Sequence, residues 1–341
     1  MIKLARIGLL GLCTLGLAAG ALAQAPEPGA SPAYGPQLEG FDYPHPIHRH
    51  AFSSQGQQLE MTYMDVAPQG QANGRTVVLL HGKNFCGATW QDTIAALSQA
   101  GYRVVAPDQI GFCASSKPAS YQFSFHQLAA NTAGLLDALK IQRATVIGHS
   151  MGGMLATRFA LMHPERTEKL VMVNPIGLED YQAEGVPYAT LDSAYQGELK
   201  TSYETLRGYQ QKFYYDNQWK PEYDRWVHML AGLYAGPGKE IVSRNAAQTG
   251  DMIFTQPVVH EFGNIRVPTT LIIGQTDRSA PGANRATKEI AARLGNYPEL
   301  GRKTAQAIPG ATLIEFQELG HSPQVEAPAR FNGALLKDLA G

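Results

Sequence analysis

Gly148-His149-Ser150-Met151-Gly152 is a G-x-S-x-G pentapeptide set between the apolar run ATVI and a stretch with helical spacing. In that context Ser150 is expected on a tight strand-to-helix turn above a sheet, where Gly148 and Gly152 leave the room that flanking Cβ atoms would fill. The helix that follows points its amino end at the serine, and its free N–H groups favour developing negative charge. A serine hydroxyl is nearly inert at neutral pH until a base takes its proton. Among the ten histidines, His321 is the expected base. It follows the last apolar run in ELGHSPQVEAP and precedes the final helical stretch, so its loop can cross the same edge of the sheet. His81 and His149 stand inside strand-end motifs where an imidazole more often braces loops, and His126, His163, His228 and His260 stand in helical or inserted segments. The base needs a carboxylate to hold its tautomer. Asp277 ends TTLIIGQTD at another strand's carboxyl end, with Gly274 permitting a turn, and Glu179 and Asp180 are the reserve acids. The tetrahedral oxyanion of acyl transfer calls for N–H donors. The expected pair is the Met151 N–H, directly after the nucleophile, and the Lys83 N–H, framed by His81 and Gly82, with Asn84 as the alternative.

These residues converge only if regular elements carry them to one edge. RTVVLLHG, YRVVAPD, ATVIGHS, KLVMVNP, TTLIIGQ and ATLIEF are nearly continuous in Val, Ile and Leu, as strands buried on both faces are. Residues 89–100, 124–140 and 151–163 carry apolar residues at helical spacing. The alternation predicts an α/β fold with a doubly wound, mostly parallel sheet and right-handed crossovers. Ligands of such sheets gather beyond the carboxyl ends of the strands. The rhythm stops after Asn174 and resumes near Val267. Residues 176–262 are therefore expected to be an inserted cap between two core segments, 47–175 and 263–341. The cap is rich in aromatic residues, from Tyr181 to Tyr234 with Trp219 and Trp226; most are expected to pack the cap itself and a few to line a substrate cavity.

At the amino end, Lys3 and Arg6 precede an apolar run that closes on Ala21 and Ala23. This reads as a secretory signal peptide, residues 1–23, cleaved after Ala23, and it places the protein in the periplasm or the medium. Residues 24–46, rich in Pro, Gly and Ala, read as a flexible leader laid over the surface or left mobile, and no later run is apolar enough to span a membrane. A net charge of -1 over 341 residues provides no broad field for nucleic acid or an anionic membrane. His45, His48 and His50 fall in a solvated pre-strand segment without acidic or thiolate partners, so no metal is expected there. With no coenzyme fingerprint either, the expected partner is a small-molecule substrate and no cofactor.

LLHG, PDQIGFCASSKP, GHSMGG, LIIGQTD and GHSPQVEAP occur in that order. Together they resemble the α/β-hydrolase superfamily, in the branch with an H-G oxyanion loop and a helical cap, over about residues 59–340. The resemblance implies the fold, the triad in the chain order Ser150, Asp277, His321, and the oxyanion loop; it implies no substrate. Two features depart from the family's pattern. Its D-x-x-G-x-G-x-S segment reads Asp108, Gly111, Cys113, Ser115, with cysteine for the second glycine, and the oxyanion loop carries Lys83 and then Phe85 and Cys86. Serine at 150 argues against the related dehalogenases and epoxide hydrolases, which place aspartate there. The activity implied first is hydrolysis of a carboxylic ester through acyl-Ser150. Cleavage of carbon–carbon bonds in dienoic keto acids, aminopeptidase activity, and a binding protein without catalysis are the alternatives. Lys83 is expected to add positive potential that favours anionic or strongly polar acyl groups. Because the fold sets the strands before HGKNFC and DQIGFC side by side, the resemblance also implies a disulfide between Cys86 and Cys113, which an oxidising compartment would favour.

Overall fold

The computed structural model describes residues 31–341, so the expected signal peptide lies outside the described residues, as do residues 24–30 of the leader. The elements run β1 (Ile47–Ser54), β2 (Gln57–Val66), β3 (Thr76–Leu80), α1 (Gln91–Gln99), β4 (Arg103–Pro107), α2 (Phe125–Ala138), β5 (Ala144–His149), α3 (Met151–Met162) and β6 (Thr167–Val173). Four inserted helices follow: α4 (Leu191–Glu198), α5 (Tyr203–Phe213), α6 (Asp224–Ala235) and α7 (Lys239–Thr255). The core then resumes with β7 (Thr269–Gly274), α8 (Lys288–Arg293), α9 (Tyr297–Ala307), β8 (Thr312–Phe316), α10 (Pro323–Glu326) and α11 (Pro328–Ala340). The strands form one sheet in the order β1-β2-β4-β3-β5-β6-β7-β8. Pairing is antiparallel from β1 to β2 and from β2 to β4, and parallel from β4 onward. This is the α/β-hydrolase type of sheet, with an inserted helical cap.

Alternation inside the apolar runs explains both layers. Val78, Leu80, Val105, Val146, Leu170, Leu271 and Ile273 face one side with Leu128 of α2 and Leu155 and Phe159 of α3. Val77, Leu79, Val104, Ile147, Val171 and Ile272 face the other with Ile94 and Leu97 of α1 and Phe331 and Leu335 of α11. Each such side chain contributes about 1.5–3 kcal/mol by leaving water, and a shift of one residue would turn every one to the wrong face.

One part of the chain differs from the sequence expectation. The PHPIHRH segment does not precede the first strand, because His48 and His50 lie within β1, although His48 and Arg49 are exposed as expected. It pairs with β2 through the two-residue turn Gln55-Gly56, both at positive φ, a geometry matched to the twist of a hairpin. From residue 31 the leader takes the first of its two expected courses and is laid over the surface. The Tyr34 N–H donates to Gly232 O (2.9 Å) and Leu38 is buried. Ser31 Oγ lies 3.0 Å from His228 Nδ1, and the Tyr43 hydroxyl donates to Asp108 Oδ2. Glycine lets this strap approach α6, since a Cβ on Gly236 would lie 1.7 Å from Tyr34 O. Among the described residues no helix is long and apolar enough to cross a membrane.

Candidate active site

Ser150 stands between the last residue of β5 and the first of α3 with φ +56° and ψ -123°. A non-glycine residue holds that conformation only where its surroundings impose it. Here the Ser150 N–H donates to Val173 O (3.1 Å) and its carbonyl accepts from Gly153 N (2.9 Å). The flanking glycines admit the turn: a Cβ on Gly148 would lie 2.0 Å from Gly152 O, and one on Gly152 would lie 2.2 Å from Leu80 O. Gly82 brings the next loop just as close, with a Cβ there falling 2.8 Å from Ser150 Cβ.

Asp277 leaves the end of β7 and His321 the loop after β8, and both are fully buried. His321 Nδ1 and Asp277 Oδ2 are 2.6 Å apart. The other contacts of the carboxylate are donors: Asn174 Nδ2 reaches Oδ2 (2.9 Å) and Ser279 N reaches Oδ1 (2.8 Å). An acceptor so supplied holds the proton on Nδ1 and turns the lone pair of Nε2 outward. His321 Nε2 is buried with no hydrogen-bond partner among the described residues, so its bond to Ser150 Oγ is not closed here; such contacts often tighten only with substrate in place.

Sequence reasoning passed over the residues that hold this pair. Asn174, at φ +36°, also accepts from Gly274 N and donates to Gly274 O, which fixes the turn before Asp277. Its signal was a polar residue closing the apolar run KLVMVN beside the acid's strand. Glu326 accepts from the N–H groups of Gly320 and Ser322, on either side of His321. Burial pushes its carboxyl up to about 7. His149 Nε2 lies 2.8 Å from His321 O, and burial holds its imidazole well below its ordinary pKa, so it is a neutral donor to that carbonyl. His81 braces the neighbouring loop by accepting from Gln109 N (3.0 Å) at Nε2.

The loop after β3 closes a turn in which Phe85 N donates to Gly82 O (3.1 Å), leaving Lys83 and Asn84 at its two central positions. N–H groups there take no part in the turn's own bond, and Met151 opens α3, whose first N–H groups have no partner within the helix. Side chains reach from this turn into the cap. Asn84 Nδ2 donates to the Tyr214 hydroxyl (2.9 Å), and Lys83 Nζ pairs with Glu198 Oε1 at 2.8 Å. The Glu198 carboxylate also accepts from the Tyr234 hydroxyl (3.0 Å). This corrects the expectation that Lys83 projects positive potential toward the substrate, because a carboxylate from α4 neutralises it. The reserve acids have other partners. Asp180 meets His260 Nε2 at 2.8 Å, and Glu179 accepts from Gly295 N, its carboxyl pushed up to about 7 by burial.

Cys86 and Cys113 are joined in a disulfide with Cα atoms 5.9 Å apart. Cys113 has φ +47°, the left-handed conformation that the family's glycine would adopt without strain. The bridge ties the loop after β3 to the loop after β4. Above Ser150 lies a cavity of about 700 Å³ between core and cap, within the ordinary range for small-molecule sites. Phe112, Leu206, Leu230, Val242 and Phe254 supply apolar walls. Polar groups enter from Lys83, Asn84, Glu198 and Lys117, whose ammonium burial holds down to about 7.

Comparison with known proteins agrees with this geometry. The family described as alpha/beta hydrolase fold matches residues 75–328. A solved structure of a probable hydrolytic enzyme from Pseudomonas aeruginosa PAO1 is 59% identical, covering 90% of this chain and 98% of that one, with a TM-score of 0.89. The chain is 28% identical over 270 residues to the 2-hydroxy-6-oxo-6-phenylhexa-2,4-dienoate hydrolase of Comamonas testosteroni, covering 76% of this chain and 85% of that protein. It is 28% identical over 289 residues to the enzyme of the same description from Burkholderia cepacia, covering 82% of this chain and 91% of that protein.

Proposed function

Because the chain belongs to the alpha/beta hydrolase fold family, we propose that it is a serine hydrolase in which Ser150 attacks a carbonyl carbon, His321 moves the proton and Asp277 orients His321. Family membership makes it a hydrolase; the nucleophile and the bond broken are our reading. The single observation that carries the mechanism is the buried Nδ1–Oδ2 contact of 2.6 Å in His321 and Asp277, beside a serine held at φ +56°. The N–H groups of Met151 and Lys83 are the donors to the oxyanion, and residues 176–262 cover the site as a cap.

For the bond broken, cleavage of a carbon–carbon bond in an oxo-dienoic acid takes first place and displaces the ester reading to second. Its support is the likeness to two dienoate hydrolases, over stretches long enough that they must run through the inserted helices as well as the core. In that reading the 2-hydroxy group first passes its proton to the carbon beside the 6-oxo group, giving the 2-oxo tautomer; Ser150 Oγ then adds to the 6-oxo carbon while His321 Nε2 takes the serine proton. Collapse breaks the bond to the adjacent carbon, the electron pair passes into the conjugated acid, and His321 returns the proton there. Water, deprotonated by His321, then releases the acyl group as a carboxylic acid and restores Ser150. The ester reading keeps one specific support: Lys83 is neutralised by Glu198, so no free cation at the oxyanion turn waits for a substrate carboxylate. We further place the protein in the periplasm or outside the cell, on the strength of the expected signal peptide and the Cys86–Cys113 bridge.

The test offers 2-hydroxy-6-oxo-dienoates, followed by loss of their conjugated absorbance, beside nitrophenyl esters of increasing length. Turnover of the dienoates with kcat/KM at least tenfold above the best ester supports carbon–carbon cleavage. The reverse ratio makes the protein an esterase, and turnover that survives Ser150→Ala removes the serine mechanism.

A further inference from the structure

Tyr214 follows the last residue of α5, in the cap, yet most of its contacts lie in the core. Its carbonyl accepts the backbone N–H of His321 (2.8 Å). Its ring stacks on the His321 imidazole with centroids 4.1 Å apart and planes 29° apart. Its hydroxyl accepts from Asn84 Nδ2 at the oxyanion turn. The preceding residue completes the pattern, since Phe213 O accepts from the N–H of Arg278, next to Asp277 (3.2 Å). The approach is close enough to demand glycine before the base: a Cβ on Gly320 would lie 1.8 Å from Tyr214 O. One helix end in the cap thus touches the loops of the base, the acid and the oxyanion donors.

We infer that Tyr214 is a positioning residue through which the cap enters the chemistry, holding His321 and the oxyanion turn in register and facing the imidazolium that forms when Ser150 gives up its proton. The inference rests on the serine reading. An aromatic face attracts a cation set over it, and the attraction grows where water is excluded. The stacked ring therefore faces the charge that forms on His321 more favourably than an aliphatic neighbour of similar bulk would. Other titratable groups facing the imidazole are Asp277 after β7, His149 at the end of β5 and Tyr297 from α9; Glu326 lies behind the loop. Burial keeps His149 neutral and the Tyr297 and Tyr214 phenols un-ionised through the neutral range. Glu326 titrates near 7, but it is common to every variant compared.

The experiment measures the second-order rate at which a fluorophosphonate labels Ser150, as a function of pH, in the full chain. The probe needs only the nucleophile and its base: Oγ bonds to phosphorus, fluoride leaves, and His321 takes the proton. Tyr214→Leu is expected to lower the plateau rate by roughly ten- to a hundredfold and to move the acidic limb to lower pH. Tyr214→Phe keeps the ring, so its limb stays in place and its plateau falls only by the share of the Asn84 contact. Tyr214→Phe combined with Asn84→Ala should then be no slower than Asn84→Ala alone. If Tyr214→Leu labels at the wild-type rate with an unmoved limb, or if the double variant loses the product of the two single losses, the inference falls while the serine mechanism stands. A wild type that leaves Ser150 unlabelled overturns both. Should Tyr214→Leu fail to fold, the Phe and Asn84 variants decide the matter alone.

Discussion

Around Asp277, charge and shape can be separated by one substitution. Asp277→Asn keeps the volume but sets an amide against three donors, His321 Nδ1, Asn174 Nδ2 and Ser279 N. The imidazole then adopts the tautomer with its proton on Nε2, where it can no longer accept from serine. A loss in kcat of about 10⁴-fold with the fold retained is expected, and steady-state rates beside a thermal melt check it. A variant with a tenth of wild-type activity would remove Asp277 from the mechanism. Ser150→Ala should lose up to about 10⁶-fold in kcat. Glu326 yields a prediction in stability. Burial raises its pKa from 4.5 to about 7, so between those values the folded chain holds a proton that the unfolded chain has released. Stability then declines as pH rises through that window, since the native state binds more protons. Glu326→Gln lacks this slope. The stability advantage of wild type over Glu326→Gln should therefore shrink from pH 5 to pH 8 in melts at matched ionic strength. A difference that is flat or widens shows that Glu326 does not keep its proton.

Elements were the easiest level to read. The six apolar runs became β3 to β8, and the three helical stretches became α1 to α3 with boundaries close to those expected; β3 to β7 are buried on both faces and cannot hide their composition, whereas β8, at the sheet edge, is only partly buried, against expectation. β1 and β2 escaped as elements: β1 lies at the edge of the sheet, where His48, Arg49 and His50 are admissible on a half-exposed strand, and β2 sets its buried Leu59, Met61 and Met64 among polar residues. The placement of Ser150, Asp277 and His321 at one end of the sheet was legible because each ends or follows an apolar run. Asn174, Glu326 and Tyr214 were not, because what distinguishes them is a backbone contact made across the fold. The charge of Lys83 was misjudged for the same reason, its partner Glu198 lying in the cap. The disulfide belongs to this scale. It closes a loop with a sequence separation of 27, for which chain entropy estimates a stabilisation of about 3.5 kcal/mol. Reduction should lower the melting temperature by several degrees and slow turnover, since the bridge anchors the loop that carries Lys83 and Asn84. An unchanged melting temperature in reductant would mean that packing alone holds that loop.

Across the whole molecule, two of the fastenings between cap and core are the strap from residue 31 and the end of α5. The strap is testable where it meets α6. Gly236→Ala puts a methyl group where Tyr34 O now sits, and the overpacking should cost about 1–3 kcal/mol. Thermal melts and faster hydrogen exchange in α6 would report it; wild-type values for both would show that the strap yields freely. The other fastening has a consequence for how such a protein can diversify. The carbonyls of Phe213 and Tyr214 belong to the main chain, so nearly any side chains along α5 can present them to the loops of His321 and Asp277. An added or deleted residue within the helix is different. It would rotate the helix end by about 100° and displace it by about 1.5 Å, carrying both carbonyls away from their donors. Libraries that vary α5 at constant length should thus remain rich in active members. Libraries that vary its length should be nearly empty, even where the inserted residue is alanine and faces solvent.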